Sequence, residues 1–478
     1  MRTSSIEANW PAIYKQRRNK IREEVGGMIL WLGHVLQPRN YTDNPYPFRQ
    51  NSHFLYYTGL SEPDLAMVSF PESDYDVLFS KPESIDDIVW SGPKRSRIEL
   101  ARDAGIDTVE DMERLEEYLA KARIKGIKVH YLPPYQYSSL FRFSELLNVE
   151  IGEVAGNVSQ LLMEQVAGQR SIKSDVEIAE IEDALAITAR MHRACMAAAR
   201  PCMRECEIAG MIQSIALSYD RQQAYDPIVT IHGEVLHNHS QDGMLEEGQL
   251  LLNDSAAESP RYYASDVTRT CPVSGKFTSM QAEVYQLVLR MQLGTIGMIK
   301  PGISYRDVHL AASRILAEGL RTMGLMQGSP SDAVEAGAHA LFFPHGIGHM
   351  LGLDVHDMED LGDIVGYKSR EKRSGQFGLN FLRLSRPLES GFVLTVEPGI
   401  YFIPALIDRW QGERRHKEFL NYDRINAFRG LGGIRIEDDI LVTSTGARVL
   451  GPRIPKTIPE VEEACGEKAD GLRLTTDD

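Results

Sequence analysis

No apolar run in these 478 residues approaches the roughly 20 that a membrane-spanning helix needs. The first ten residues, M-R-T-S-S-I-E-A-N-W, hold no apolar stretch and do not read as a secretory signal. Cysteine is scarce. The five residues Cys195, Cys202, Cys206, Cys271 and Cys465 are odd in number and sparse, so free thiols in a reducing cytoplasm are expected. Cys202 and Cys206 lack the second cysteine pair that a structural zinc site would use. Basic charge is in deficit as well, with 52 Lys and Arg against 67 Asp and Glu. The net charge of −15 argues against a nucleic-acid partner and leaves an acidic surface that aids solubility. What remains is ordinary for a globular protein, 43% hydrophobic and 25% charged, and long enough for two domains with cores of their own.

The first 172 residues alternate short β-rich runs with helical patterns, as an α/β domain does. Strands are expected at 28–32, 66–70, 76–80 and 128–132, and helices at 13–25 and 109–122. Residues 47–59 are aromatic and read as core; within them Arg49, Gln50 and Asn51 either brace that core or reach a functional site. A second domain, 173–455, opens with Ser174 and Glu177, a capping box for a long helix that ends before Pro201. Further helices are expected at 208–222, 278–299 and 306–323, and a strand at 249–254. The long, basic stretches 361–389 and 406–429 read as surface loops or an extra hairpin. They either shape a cleft or interface or are plain insertions. Residues 456–478 read as a polar tail whose last ten residues are disordered.

The chemistry is concentrated in five acids and imidazoles of the second domain. Glu397 ends the β-rich run of L-T-V-E-P-G-I-Y (394–401), where Pro398-Gly399 turns the chain and holds the carboxylate in place. In G-I-R-I-E-D-D (433–439), strand alternation puts Arg435, Glu437 and Asp439 on one face. Asp254 follows Leu250-Leu251-Leu252-Asn253, and Asp266 opens D-V-T-R-T. His349 lies in H-G-I-G-H-M-L-G-L-D-V-H-D (345–357) between His345 and His356. Four carboxylates and one imidazole form a hard donor set suited to Mn²⁺, Co²⁺ or Zn²⁺, and four carboxylates balance two divalent cations. His345 and His349 have the H-x₃-H spacing of a helical zinc site, but Gly346 and Gly348 argue against a helix.

Taken in chain order, D-V-T-R-T-C-P-V-S-G-K-F-T (266–278) and the motifs at 345–357, 394–401 and 433–439 resemble those of aminopeptidase P, within the "pita-bread" metallopeptidases that also include prolidase and methionine aminopeptidase. P-F-R-Q-N-S-H-F-L-Y-Y-T-G (47–59) resembles that enzyme's separate N-terminal domain. The resemblance implies an α+β protein, with a creatinase-like α/β domain ahead of a pita-bread catalytic domain of duplicated architecture. It implies two divalent ions, with manganese first, held by Asp254, Asp266, His349, Glu397 and Glu437. Glu397 would also serve as general base, His356 would meet the scissile carbonyl, and His237 would line a proline pocket. Arg435 would orient a ligand or the substrate's tail. Trp90 resembles a tryptophan that reaches a neighbouring subunit's active site, although local packing would also account for it. The family usually separates its two aspartates by eleven residues. Here the spacing is twelve, which a longer hairpin turn would absorb.

The implied activity is release of the first residue from peptides with proline second, by a cytoplasmic homo-oligomer, dimer or tetramer. The alternatives are a prolidase cutting Xaa-Pro dipeptides and, from another class, a non-catalytic peptide or histone binder. The complete ligand set argues against the binder.

Overall fold

The computed structural model describes residues 8–71, 75–368 and 371–466. They form two compact units: residues 8–170 with Glu359–Ile364, and the remaining described residues from Ser171 onward.

The N-terminal unit is built on one mixed sheet. Its strands are β1 (Met28–Leu32), β2 (Ala66–Ser69), β3 (Asp76–Ser80), β4 (Thr108–Asp111) and β5 (Val129–His130), in the order β4-β3-β2-β1-β5. The pairs β1–β2 and β2–β3 are antiparallel, while β3–β4 and β1–β5 are parallel. Every residue of β1, β2 and β3 is buried, because helices cover both faces. On one face Met28, Leu30, Val68, Val77 and Phe79 join Leu115 and Leu119 in a core. On the other, Trp31 packs on Tyr57, their ring centroids 4.2 Å apart. The expected strands are present. The expected helix 109–122 is corrected: its first residues belong to β4, paired with β3, and the helix runs Leu115–Ile124.

Residues 47–59 do form core. Helix Ser52–Thr58 is wholly buried and capped by the Asn51 side chain. Gln50 is bound on both sides, accepting from the His34 and Asn51 amides and donating to the Glu62 carbonyl. The structural reading of Gln50 and Asn51 therefore holds. Trp90 is 86% exposed, so local packing does not account for it.

In the second unit two helix pairs pack side by side, Asp175–Ala198 on Glu205–Ser218 and Ser279–Ile296 on Tyr305–Thr322. The Ser174–Glu177 capping box is formed. Three small sheets lie with them. β6 (Ile228–Thr230), β7 (Leu250–Asp254) and β8 (Thr268–Pro272) make an antiparallel meander. β9 (Val393–Val396), β10 (Gly399–Tyr401), β11 (Gly433–Arg435), β12 (Asp438–Val442) and β13 (Ala447–Val449) make a long interrupted hairpin. In it β10 pairs with β11, and β9 pairs with β12, which also pairs with β13.

Three further expectations change. Residues 406–429 are neither loop nor hairpin but two helices, Pro404–Gly412 and Tyr422–Asn426, which bury Ile407, Trp410 and Ile425. Segment 361–389, of which 369–370 lie outside the described residues, buries Leu379, Leu382, Leu384 and Leu388, so it is not a plain surface insertion. The stretch read as a polar tail from 456 begins with helix Ile458–Gly466, packed on Asp175–Ala198 and β8. The last ten residues, 469–478, where disorder was expected, lie outside the described residues.

Candidate metal centre

The interruption of the hairpin builds the centre. Val396 faces Asp438 across β9–β12, and Gly399 faces Arg435 across β10–β11. Between those registers both strands break at the same level, leaving Glu397-Pro398 opposite Ile436-Glu437. Ile436 goes to the core, fully buried, and Glu437 turns to the other side. The Glu437 carboxylate accepts from Thr268 Oγ1 at 2.6 Å. That same hydroxyl accepts from Arg435 Nε at 3.0 Å.

The β7–β8 hairpin supplies the two aspartates. Asp254 pairs with Thr268 in the ladder, so Asp266 lies two residues before the register partner. Both acids lie on the same side, where Tyr225 Oη donates to Asp254 Oδ1 at 2.5 Å and to Asp266 Oδ1 at 2.8 Å. Arg435 closes the group by donating to Asp254 Oδ2 at 2.6 Å.

His349 arrives on irregular backbone, as its flanking glycines require. A Cβ on Gly348 would sit 2.1 Å from the Thr395 carbonyl oxygen, so only glycine lets this loop lie against β9. The His349 amide donates to Thr395 Oγ1, and its Nδ1 faces the Met350 carbonyl at 3.1 Å. That contact turns Nε2 toward the acids, 3.3 Å from Asp266 and 3.5 Å from Glu397. A helical H-x₃-H zinc site is not formed. Instead His345 turns aside, with Nε2 2.9 Å from Tyr401 Oη, and Arg435 Nη1 donates to that hydroxyl at 3.1 Å.

Ligand atoms of Asp266, His349 and Glu437 all lie within 4.8 Å of one another, and all three residues are buried. Asp254 and Glu397 stand beside them. The charges do not balance. Burial raises Glu397 to about 7, with Asp266 and Asp254 pushing the same way against His349 and Arg435. Burial and three neighbouring carboxylates hold Glu437 well above the ordinary range. Burial also raises Asp254, although Arg435 opposes it. Burial pulls His349 down, but Asp266 and Glu397 outweigh it and leave its pKa raised. A buried group of carboxylates that resists its own charge, with oxygen donors facing inward, fits divalent cations.

His356 is half-buried, its ring centroid 4.2 Å from that of His349. His237 lies at an exposed rim; burial lowers its pKa first, followed by the charges of Arg435 and Arg383. Its loop is fixed to β11 by backbone contact, since a Cβ on Gly433 would meet the Gly233 carbonyl oxygen at 2.2 Å. Asp439, placed by alternation on the Glu437 face, is buried and accepts from the Asp266 amide at 3.0 Å. The sequence reading did not find Tyr225, Thr268, Tyr401 or Arg383. Thr268 and Tyr401 lie inside the quoted motifs D-V-T-R-T and L-T-V-E-P-G-I-Y, but their partners are distant in the chain, and no local pattern marks Tyr225 or Arg383.

Residues 179–444 match the model of metallopeptidase family M24, and residues 14–129 match the aminopeptidase P N-terminal domain. A probable Xaa-Pro aminopeptidase of Fusarium vanettenii is 31% identical over 96% of this chain and 97% of its own. The human Xaa-Pro dipeptidase is 32% identical over 92% of this chain and 89% of its own. Escherichia coli aminopeptidase P, solved with the inhibitor Pro-Leu, superposes with a TM-score of 0.77. It is 29% identical, covering 95% of this chain and 98% of that one. The chain is thus a two-domain α+β protein that belongs to metallopeptidase family M24, with an N-terminal domain of the aminopeptidase P kind.

Proposed function

We propose that this chain is an Xaa-Pro aminopeptidase, releasing the N-terminal residue from peptides with proline second. The observation that carries the reading is the buried convergence of Asp266, His349 and Glu437, with Asp254 and Glu397 alongside. Those five residues would hold two divalent cations, with manganese the first candidate and Co²⁺ or Zn²⁺ the alternatives. Bound there, the ions would lower the pKa of water and neutralise charge building on the scissile carbonyl oxygen.

The chain's own groups divide the remaining work. Glu397, at the strand break, takes the proton from the attacking water and passes it to the leaving amine. His356, beside His349, donates a hydrogen bond to the oxyanion as it forms. Arg435 ties Asp254, Thr268 and Tyr401 together and fixes the acids' orientation. His237, on the rim, packs against the proline ring. The free amine of the substrate lies against the acids, which makes the enzyme an exopeptidase.

A second reading, prolidase, is favoured by Arg383. Its charge acts on both His237 and His345, and a guanidinium beside the proline pocket would capture the carboxylate of a dipeptide. Peptides Xaa-Pro-Yaa and Xaa-Pro, matched except in length, separate the two. The aminopeptidase reading expects kcat/KM for the tripeptide at least equal to that for the dipeptide. Turnover of the dipeptide alone would make the enzyme a prolidase.

A homo-oligomer and a cytoplasmic location complete the proposal. Trp90, exposed on its short helix, supports contact with a second copy. Among the described residues no helix is long and apolar enough to cross a membrane.

A further inference from the structure

Among the buried ion pairs of the catalytic unit that the proposed mechanism leaves unused, one adjoins His356. Lys173 Nζ lies 2.9 Å from Asp357 Oδ2, and both side chains are 1% exposed. Lys173 precedes the Ser174–Glu177 capping box, and its own amide donates to the Gly391 carbonyl just before β9. It is therefore fixed to the long helix on one side and to the start of the strand that leads to Glu397 on the other.

Asp357 directly follows His356 and is the anchor of its loop. Its amide donates to the Met350 carbonyl at 2.9 Å, which closes residues 350–357 into a ring. The ring wraps the carboxylate so closely that a Cβ on Gly352 would sit 2.4 Å from Asp357 Oδ2. Met358, fully buried, then turns the chain with φ 62°, a left-handed conformation that a side chain accepts only where its surroundings impose it. His356 is thus carried on a loop whose adjoining carboxylate is pinned by an ammonium group from elsewhere in the fold.

We infer that Lys173 and Asp357 are positioning residues that hold the His356 imidazole beside His349. The inference rests on the proposed role of His356 at the scissile carbonyl.

A double-mutant cycle on the metal-loaded enzyme tests it. K173M is expected to lower kcat at least about 30-fold, with KM changed less than about threefold and metal content unchanged. In the H356A background the same substitution should change kcat less than about threefold, because there is no imidazole left to misplace. D357N, which keeps the side chain's shape, should show the same pattern more weakly and carries the cycle if K173M does not fold. Equal losses with and without His356, or a loss that tracks metal content, would overturn the inference. An H356A enzyme with unchanged kcat would overturn the role of His356 itself, and the inference with it.

Discussion

Asp76, on β3 of the N-terminal unit, and Glu397, at the strand break of the catalytic unit, are both carboxylates largely withdrawn from water, 4% and 18% exposed, and they are perturbed in opposite directions. Asp76 sits between Arg18 Nε at 2.7 Å and Arg22 Nη1 at 2.5 Å. Burial pushes its pKa up, but the two guanidinium groups outweigh burial and hold it below the ordinary range. Arg18 is satisfied in turn by the carbonyls of Tyr57, Ala104 and Gly105. Glu397 has one guanidinium in its neighbourhood, shared with Asp254 and Glu437, and it rises to about 7. Burial alone therefore does not mark a functional acid. The direction of the shift follows the balance of buried charge: two guanidinium groups outweigh burial at Asp76, and one shared guanidinium does not at Glu397.

Glu397→Gln is expected to break the comparison most severely. The amide keeps the shape but neither carries charge nor accepts a proton. A fall in kcat of about 10³-fold or more, about 4 kcal/mol in barrier, is expected, with near-normal circular dichroism. Activity within about tenfold of wild type would show that Glu397 is not the base.

Asp76→Asn is expected to do the reverse. It strands two buried guanidinium groups, a loss of about 3–5 kcal/mol in urea or thermal unfolding. The folded fraction should keep its kcat. A large effect on kcat at full folding would erase the distinction between the two acids.

Stability against pH sharpens the contrast in the metal-free protein. Asp76 has a depressed folded pKa, so its contribution is present above its ordinary value of 3.8 and is lost as pH falls below it. Glu397 has a raised folded pKa, so the unfolded chain loses its proton first. Metal-free wild type, measured relative to Glu397→Gln, should lose stability as pH rises from 4.5 to about 7, by about 1.4 kcal/mol for each pH unit crossed; the difference cancels the buried His192, His309, His339 and His345, whose lowered pKa values act in the opposite direction. Thermal melts in chelator across pH 4–8 measure this. A wild-type-minus-variant difference that rises steadily through that window would contradict the charge imbalance.

The smallest expected effect is also the most pointed. Glu437→Gln should stabilise the metal-free protein by about 1–2 kcal/mol, because it removes a buried like charge. The same change should destabilise the metal-loaded protein relative to wild type. Melting with and without added Mn²⁺ reads both signs, and equal shifts in the two states would argue that Glu437 is no ligand.

Much of this was legible in the sequence because the five acids and imidazoles lie in short motifs bounded by glycine, proline and β-branched residues. Strand alternation alone put Ile436 in the core and Glu437 opposite. Tyr225 was not legible. It stands in Q-A-Y-D-P, without periodicity, and its partners lie 29 and 41 residues away. The strand β4 was lost inside a helical pattern, because pairing with β3 outweighs local propensity there. For 406–429 the signal was present and underweighted: Ile407 and Trp410, three apart, are the buried positions of a helix.

The central claim is that the fold leaves a deficit of positive charge at Glu397 and Glu437 that two divalent cations make good. Elemental analysis paired with Xaa-Pro-Yaa hydrolysis during stepwise return of Mn²⁺ to chelated protein tests it most directly. Activity absent without metal, and climbing to a plateau as two equivalents per chain are bound, is the expected result. Full activity in protein carrying less than about a tenth of an equivalent of any divalent metal would contradict it.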